Sequence, residues 1–331
     1  MKARCIVMNG KHHVEVREFN LPEPGDKEVM VEVIHSVISP GTELRCYDGG
    51  QADARFSEFI PGYAAQGRII KKGCDCVIKE GAIVNIGGTQ KSDIATMWGG
   101  HVSHAIVSEC SILPVPGGLD LMNANMARLG AIAFHGYKLA RPVAGERVVV
   151  VGLGMIGQCS ARLFSMSGAR TLCLDLSEFR ISTASKAGCE ARLVKGTLKD
   201  TIKDVFPEGV DIIVDTTGSP RVMEQAVELG IELPWDGLQR RGCRYVVQGS
   251  YPGSFSIPYQ NAFMKEMTFI LPRDKTADDP VSVMGLLAAK KLSLAECITK
   301  VRKPEEAKAV YDELMDRNAP LITEAFQWST E

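Results

Sequence analysis

The sequence predicts a two-domain α/β protein: a Rossmann-type doubly wound parallel sheet preceded by a compact β-rich domain. Strand and helix patterns alternate from about Pro116 onward. A glycine turn joins an apolar strand to a helix in "VVVVGLGMIGQ". The first third is short apolar runs punctuated by Gly and Pro, with few amphipathic helices. A length of 331 residues suits about two domains, either able to bury a sizeable core.

Taken in order, "EVMVEVIHSVI" alternates as a strand does, "GRIIKKG" and "GAIVNIGG" read as brief strands between turns, and "HVSHAIVSECSILPVP" ends at a proline pair. "NANMARLGAIAFHGYKLA" then has helical spacing. "GERVVVVGLGMIGQCSARLFSMSGARTLCLDLSEFRISTASKAG" reads strand, turn, helix, strand, helix. "VDIIVDTTG", "SPRVMEQAVELG", "CRYVVQGSY" and "EMTFILP" continue the alternation, which implies parallel strands with helices on both faces. The tail carries helices at "DPVSVMGLLAAKK" and "PEEAKAVYDELMD" and a last apolar run, "LITEAFQW".

Gly152, Gly154 and Gly157 form GxGxxG between strand and helix, with Asp175 closing the next strand about twenty residues on. Gly152 permits the tight turn, Gly154 lets the backbone N–H groups approach a pyrophosphate, and Gly157 allows close helix–strand packing. The intervening Leu153, Met155 and Ile156 share this loop and helix start, whose partial positive charge suits phosphate. Asp175 accepts from both ribose hydroxyls of an adenosine and repels a 2′-phosphate, so the cofactor predicted is NAD rather than NADP. Leu176 follows it, and Arg180 either stacks on the adenine or pairs with Glu178. Gln248, Gly249 and Ser250 end a later strand and either border the nicotinamide ribose or form a turn chosen for geometry.

A net charge of −2 gives no electrostatic reason for a nucleic-acid or anionic-membrane partner. With 45% apolar and 24% charged residues the composition is that of a globular protein, and no segment approaches a membrane span. Ten scattered cysteines without a CxxC pair suit reduced thiols, so a cytoplasmic location is expected.

The stretches "EVMVEVIHSVISPGTE", "IPGYAAQGRII", "GGHVSHAIVSECSILPVP", "VVVVGLGMIGQ" with "LDLSEFR", and "DIIVDTTGSP" together resemble the medium-chain dehydrogenase/reductase superfamily over essentially the whole chain. The resemblance implies a GroES-like catalytic domain at 1–122 and 272–331, an NAD-binding Rossmann domain at 123–271, and a substrate cleft between them. It also implies a homodimer or homotetramer formed through the Rossmann domain. "ISPGTE", "PGYAAQG" and "MWGGH" are more similar to a divergent branch that includes bacteriochlorophyllide a dehydrogenase and dehydrogenases of secondary hydroxyls on sugars and cyclitols.

The superfamily's zinc enzymes carry a Cys before Gly-Thr-Asp, a His in Gly-His-Glu, and a Cys or Glu near the domain crossover. Here the first place is Pro40 and the second is Tyr63, while "NANMARLGAI" has no Cys, His, Asp or Glu. "GGTQKSDIATMWGGH" lacks the four cysteines of a structural zinc loop. A zinc site needs three or four such ligands, so no metal is expected.

Without zinc, a side chain must take the hydroxyl proton while hydride leaves for nicotinamide. Tyr63 either handles that proton, with help from a nearby positive charge, or fills the space a metal vacated. By the resemblance Thr42 sits where a hydroxyl relays protons, whereas Glu43 relays or, more in keeping with acids at turns, braces the loop. His135, on the helix entering the cofactor domain, and His35 are further candidates; His101 is placed along the cleft. Arg273, Asp274 and Lys275 either present charge at the cleft mouth or form a solvated loop. The expected activity is zinc-independent, NAD-dependent interconversion of a secondary alcohol and a ketone on a polar small molecule. Reduction of an activated double bond by NAD(P)H and a silent NAD-binding protein are the alternatives.

Overall fold

A computed structural model describes residues 1–50, 57–251 and 253–330. The chain forms two compact units, Met1–Arg128 with Met284–Glu331, and Leu129–Val283. The expected boundaries at 122/123 and 271/272 lie earlier in the chain at both crossings. The reason is local: the helices Ala127–Ala140 and Asp279–Ala288 both run through a crossing, so the chain changes unit inside helices rather than at the loops where composition shifts.

In the first unit a hairpin pairs Lys2–Gly10 with His13–Asn20. A seven-stranded sheet is centred on Glu28–Val37, flanked by Ala65–Lys72 and Thr323–Gln327 and also paired with His104–Ser108. The alternation read in "EVMVEVIHSVI" buries Val29, Val31 and Val33 in one core with Ile69, Val84 and Ile106. The helix Pro40–Tyr47 was not legible; it begins inside "SPGTE", with proline at its start. Proline suits that position because its fixed φ is helical and the missing N–H has no partner in the first turn. The last strand, in "LITEAFQW", returns to this sheet and places Phe326 against Tyr311 and Tyr47 in a second core.

The second unit holds a six-stranded parallel sheet. Across the sheet the strands run Glu190–Leu193, Arg170–Asp175, Arg147–Val151, Ile212–Asp215, Arg244–Val247 and Thr268–Ile270. Numbered within the unit this is the order 3-2-1-4-5-6, the doubly wound arrangement whose ligand crevice opens where the order reverses. The reversal falls between Arg147–Val151 and Ile212–Asp215. The valine run 148–151 is buried because helices cover both sheet faces, as a near-continuous apolar strand requires. Arg244, itself buried, donates to the carbonyls of Ala140 and Arg141 at 2.5 and 3.0 Å and pairs with Glu146, satisfying the end of the helix Ala127–Ala140.

Candidate active site

In the second unit, the loop after Arg147–Val151 turns at Gly152, whose φ of +89° lies in the region that favours glycine. A Cβ on Gly157 would meet the Gly152 carbonyl oxygen at 2.0 Å, so helix and turn touch backbone to backbone. A Cβ on Gly154 would meet nothing within 4 Å. Gly154 caps the helix Met155–Ser165, whose first N–H groups have no helical acceptor. The Leu153 and Met155 side chains are buried and Ile156 partly so, which leaves the backbone to face the open space.

Asp175 ends its strand with Oδ2 accepting from Leu153 N at 2.5 Å and Oδ1 from Ser177 N at 2.8 Å. The Leu153 N–H is therefore committed to Asp175 and not to a phosphate. Each carboxylate oxygen still has a lone pair for a further donor. Leu176 is 80% exposed beside it. Arg180 forms no ion pair with Glu178 among the described residues; its carbonyl accepts from Gln158 Nε2 at 2.9 Å.

Asp215, which the sequence reading passed over, organises the reversal point. Its Oδ1 accepts from the N–H and hydroxyl of Thr217 at 2.8 and 2.7 Å, and Oδ2 from the phenols of Tyr245 and Tyr251 at 2.9 and 2.5 Å. Burial, and then the Asp215 carboxylate, push both phenols far above their ordinary value, so they remain donors. Thr216 Oγ1 donates to the Gly152 carbonyl at 2.8 Å, tying this loop to the glycine turn. Gly249 N donates to the Asp215 carbonyl at 2.7 Å, and Ser250 is exposed beyond it. Gln248 departs from expectation: its side chain turns onto the helix Ala127–Ala140, donating to the Ile132 carbonyl at 3.1 Å in space that Gly136 leaves free.

His135 also has a partner that its sequence position did not suggest. Its Nδ1 lies 3.2 Å from Asp279 Oδ2, and Lys138 pairs with the same carboxylate. Burial alone would raise the Asp279 carboxyl; Lys138 and the Thr276 N–H outweigh it and hold it below the usual range. Arg273 and Asp274 lie on an exposed loop, with Lys275 3.4 Å from Asp274.

The first unit gathers the other candidates. Gly62 has a φ of +84°, and a Cβ there would meet the His101 ring at 2.6 Å, so only glycine lets "PGY" pass this close. His101 is fully buried and does not line a cleft. Its Nδ1 is 2.7 Å from Ser36 Oγ and its Nε2 2.8 Å from Glu43 Oε2. Trp328 Nε1 donates to Ser36 Oγ at 2.9 Å, Tyr311 donates to Glu43 Oε2 at 2.7 Å, and Ser39 N donates to Glu43 Oε1 at 2.7 Å. All contacts are satisfied if Trp328 donates to Ser36, Ser36 to His101 and His101 to Glu43. Glu43 is thus a fully buried brace and not a group that meets substrate, which corrects its candidacy for proton transfer.

Tyr63 is 9% exposed, with its hydroxyl 2.5 Å from Ser39 Oγ. Trp98 packs edge-on against its ring at 5.4 Å between centroids, and the Arg128 guanidinium lies over the ring at 5.7 Å. Thr42 is half-buried in the first turn of the helix Pro40–Tyr47, its N–H donating to the Ser39 carbonyl at 3.1 Å. His35 is buried on the central strand.

Two groups that the fold implies can be set against these residues. A dinucleotide fits: the turn offers an open backbone approach at Gly154, free helix N–H groups and an acid at Asp175. Zinc does not. Pro40 brings no ligand atom, the Tyr63 phenol is bonded to a hydroxyl, and among the described residues no three His, Cys, Asp or Glu side chains are grouped to hold a metal.

Residues 155–270 match the family model described as zinc-binding dehydrogenase. The chain is 24% identical over 319 residues to the 2-desacetyl-2-hydroxyethyl bacteriochlorophyllide A dehydrogenase of Cereibacter sphaeroides, covering 94% of each chain. It is 22% identical over 330 residues to the sorbitol dehydrogenase of Halalkalibacterium halodurans, covering 90% of this chain and 92% of that one. A solved dehydrogenase from Sinorhizobium meliloti 1021 bound to NADP superposes with a TM-score of 0.83 at 18% identity over 99% of each chain, a likeness of fold. Together these matches support the zinc-type alcohol dehydrogenase superfamily and an oxidoreductase. Among the described residues, no helix is long and apolar enough to cross a membrane.

Proposed function

We propose that the protein is a zinc-independent, NAD-dependent dehydrogenase that interconverts a secondary alcohol and a ketone on a polar small molecule such as a sugar, a cyclitol or a hydroxyalkyl metabolite. The observation that carries this reading is the pairing of a complete dinucleotide turn with a metal place whose residues are not metal ligands. Gly152, Gly154, Gly157 and Asp175 keep the features a dinucleotide needs, while Pro40 and Tyr63 stand where zinc ligands stand in the superfamily.

When bound, the nicotinamide ring accepts or returns the hydride. The chain's residues do the rest. The backbone of Gly154, Met155 and Ile156 would hold the pyrophosphate, and Asp175 the adenosine ribose, where its charge favours NAD over NADP. Thr217, Gly249 and Ser250 border the crevice held in shape by Asp215. Tyr63 takes the hydroxyl proton in oxidation and returns it in reduction; Thr42, half-buried in the first turn of the helix Pro40–Tyr47, supplies a second hydroxyl. His135, 3.2 Å from Asp279, is not assigned the proton.

The substrate class is supported by relatives named for a hydroxyethyl bacteriochlorophyllide and for sorbitol, both of which carry hydroxyl groups. Assembly as a homodimer or homotetramer through the Rossmann domain belongs to the same proposal, supported by the strand Thr268–Ile270 at one edge of the sheet. A cytoplasmic site is supported by ten cysteines without a CxxC pair, eight of them buried.

The test is NADH formation by EDTA-treated enzyme across sugar alcohols, cyclitols and hydroxyalkyl compounds. Undiminished turnover after chelation is expected. Activity that disappears with EDTA and returns with zinc refutes the metal-free reading, and a clear preference for NADPH with activated alkenes favours the reductase alternative.

A further inference from the structure

A phenol is a poor stand-in for a metal unless something stabilises the negative charge it carries once its proton has gone. Two neighbours of Tyr63 that the sequence reading did not consider supply what is needed. The guanidinium of Arg128 lies over the ring, 5.7 Å from its centroid. That guanidinium packs against Gly87, where a Cβ would come within 3.3 Å of one of its nitrogens, so a glycine leaves room for it. Arg128 stands in "NANMARLGAI", the stretch in which the superfamily's third zinc ligand would fall. On the other side of the phenol chemistry, Ser39 Oγ is 2.5 Å from the Tyr63 oxygen.

We propose that Arg128 and Ser39 are positioning residues for Tyr63, the guanidinium replacing the fixed positive charge of the metal and the serine hydroxyl donating to the phenol oxygen. This rests on the reading of Tyr63 as the proton-handling group. In oxidation the alcohol O–H bond breaks and its proton joins the Tyr63 oxygen, which starts deprotonated; the C–H electron pair leaves with hydride to the nicotinamide, and the C=O bond forms. Tyr63 then releases its proton to water. Arg128 and the Ser39 hydroxyl stabilise the deprotonated oxygen at the start of this cycle and hold it in one place.

The other ionisable groups on the elements around Tyr63 cannot take this part. His101, against Gly62, and Glu43, at the far side of Ser39, are both fully buried and bonded to one another at 2.8 Å. His35 is buried on the central strand with its carbonyl accepting from Asn125. The pairing of His101 with Glu43 serves the same end indirectly, because Glu43 fixes Ser39 through its backbone N–H.

The deciding measurement is a spectrophotometric tyrosinate titration of the ligand-free protein, with the Tyr63 signal isolated as the difference between wild type and Tyr63→Phe. Four of the other phenols, Tyr47, Tyr245, Tyr251 and Tyr311, are held above the ordinary range chiefly by burial and stay out of the way. Arg128→Met is expected to move the Tyr63 titration up by about one pH unit or more, and Ser39→Ala by about half a unit. Arg128→Lys and Ser39→Thr, which keep charge and hydroxyl, are expected to remain near wild type and control for damage to the fold. In turnover, Arg128→Met should lower kcat about tenfold at neutral pH with little change in KM, and raising the pH should recover part of the loss. A Tyr63 titration unmoved by both Arg128→Met and Ser39→Ala overturns the proposal even if Tyr63 is essential. Wild-type turnover by Tyr63→Phe overturns instead the role of Tyr63 on which the proposal stands, whatever the titration shows.

Discussion

Adding one methyl group at Gly154 and one at Gly157 should separate the glycine that serves a ligand from the glycine that serves the fold. At Gly157 the new carbon would sit 2.0 Å from the Gly152 carbonyl oxygen and 2.8 Å from Thr216 Oγ1. The first of these is backbone on a tight turn and must move by about 1 Å to restore ordinary contact, an overpacking cost of up to about 3 kcal/mol. Replacing glycine inside a helix returns about 1 kcal/mol. The net loss is on the order of 2 kcal/mol, or a fall of about 4–8 °C in melting temperature for a unit of this size. At Gly154 the methyl enters open space, and the φ of −66° suits alanine. The cost there is the difference between glycine and alanine as helix caps, about 0.5 kcal/mol. That open space is where the pyrophosphate is expected, so Gly154→Ala should weaken NADH about tenfold, on the order of 1.4 kcal/mol. Thermal melts of the ligand-free variants and fluorescence titration with NADH give both quantities. Wild-type NADH affinity in Gly154→Ala, or a wild-type melting temperature in Gly157→Ala, would refute the division of labour.

Further outcomes are expected at two positions. Asp175→Asn removes the charge that excludes a 2′-phosphate, so the preference for NADH over NADPH should fall about tenfold or more; equal binding of the two cofactors by the wild type would sink the assignment. The same change turns one acceptor of Asp175 into a donor facing Leu153 N or Ser177 N and should cost about 1 kcal/mol in urea unfolding. Glu324 is fully buried, and burial holds its carboxyl above the ordinary glutamate value, with Arg302 and Lys300 offsetting only part. From the ordinary glutamate range up to that raised value, the native state keeps a proton the unfolded chain has lost, so stability falls as pH rises through this window. In urea unfolding from pH 4 upward, the wild type should lose stability relative to Glu324→Gln across this window, and parallel curves would contradict it.

Much of the fold was legible because it is written in local patterns. Four successive valines before a glycine turn can only be a strand covered on both faces, and Val148–Val151 is such a strand. Alternation in "EVMVEVIHSVI" marked the central strand of the first unit. The helix Pro40–Tyr47 was not legible because the side chain at its N-cap does not cap it. Ser39 makes no side-chain cap; its hydroxyl is spent on Tyr63, while its N–H is taken by Glu43. Composition marks domain boundaries only where the chain crosses in a loop, and here it crosses inside two helices.

The candidate site divides along the same line. The glycine turn and Asp175 lie within one strand–helix–strand stretch, so spacing alone was informative about them. The surroundings of Tyr63 come from four separate places: Ser39, Trp98, Arg128 and, behind Ser39, the chain from Glu43 through His101 and Ser36 to Trp328. No spacing rule links those positions. One signal was available: if the metal's positive charge is gone, another cation is needed near the phenol, and Arg128 is the cation in the very stretch found empty of zinc ligands. A search for ligand atoms overlooks it, because arginine cannot bind zinc. A search for charge does not, since the guanidinium is permanently positive and planar enough to lie on a tyrosine ring. If the site works without a metal, the residue types worth looking for at the positions of the superfamily's zinc ligands change from donors of lone pairs to carriers of positive charge.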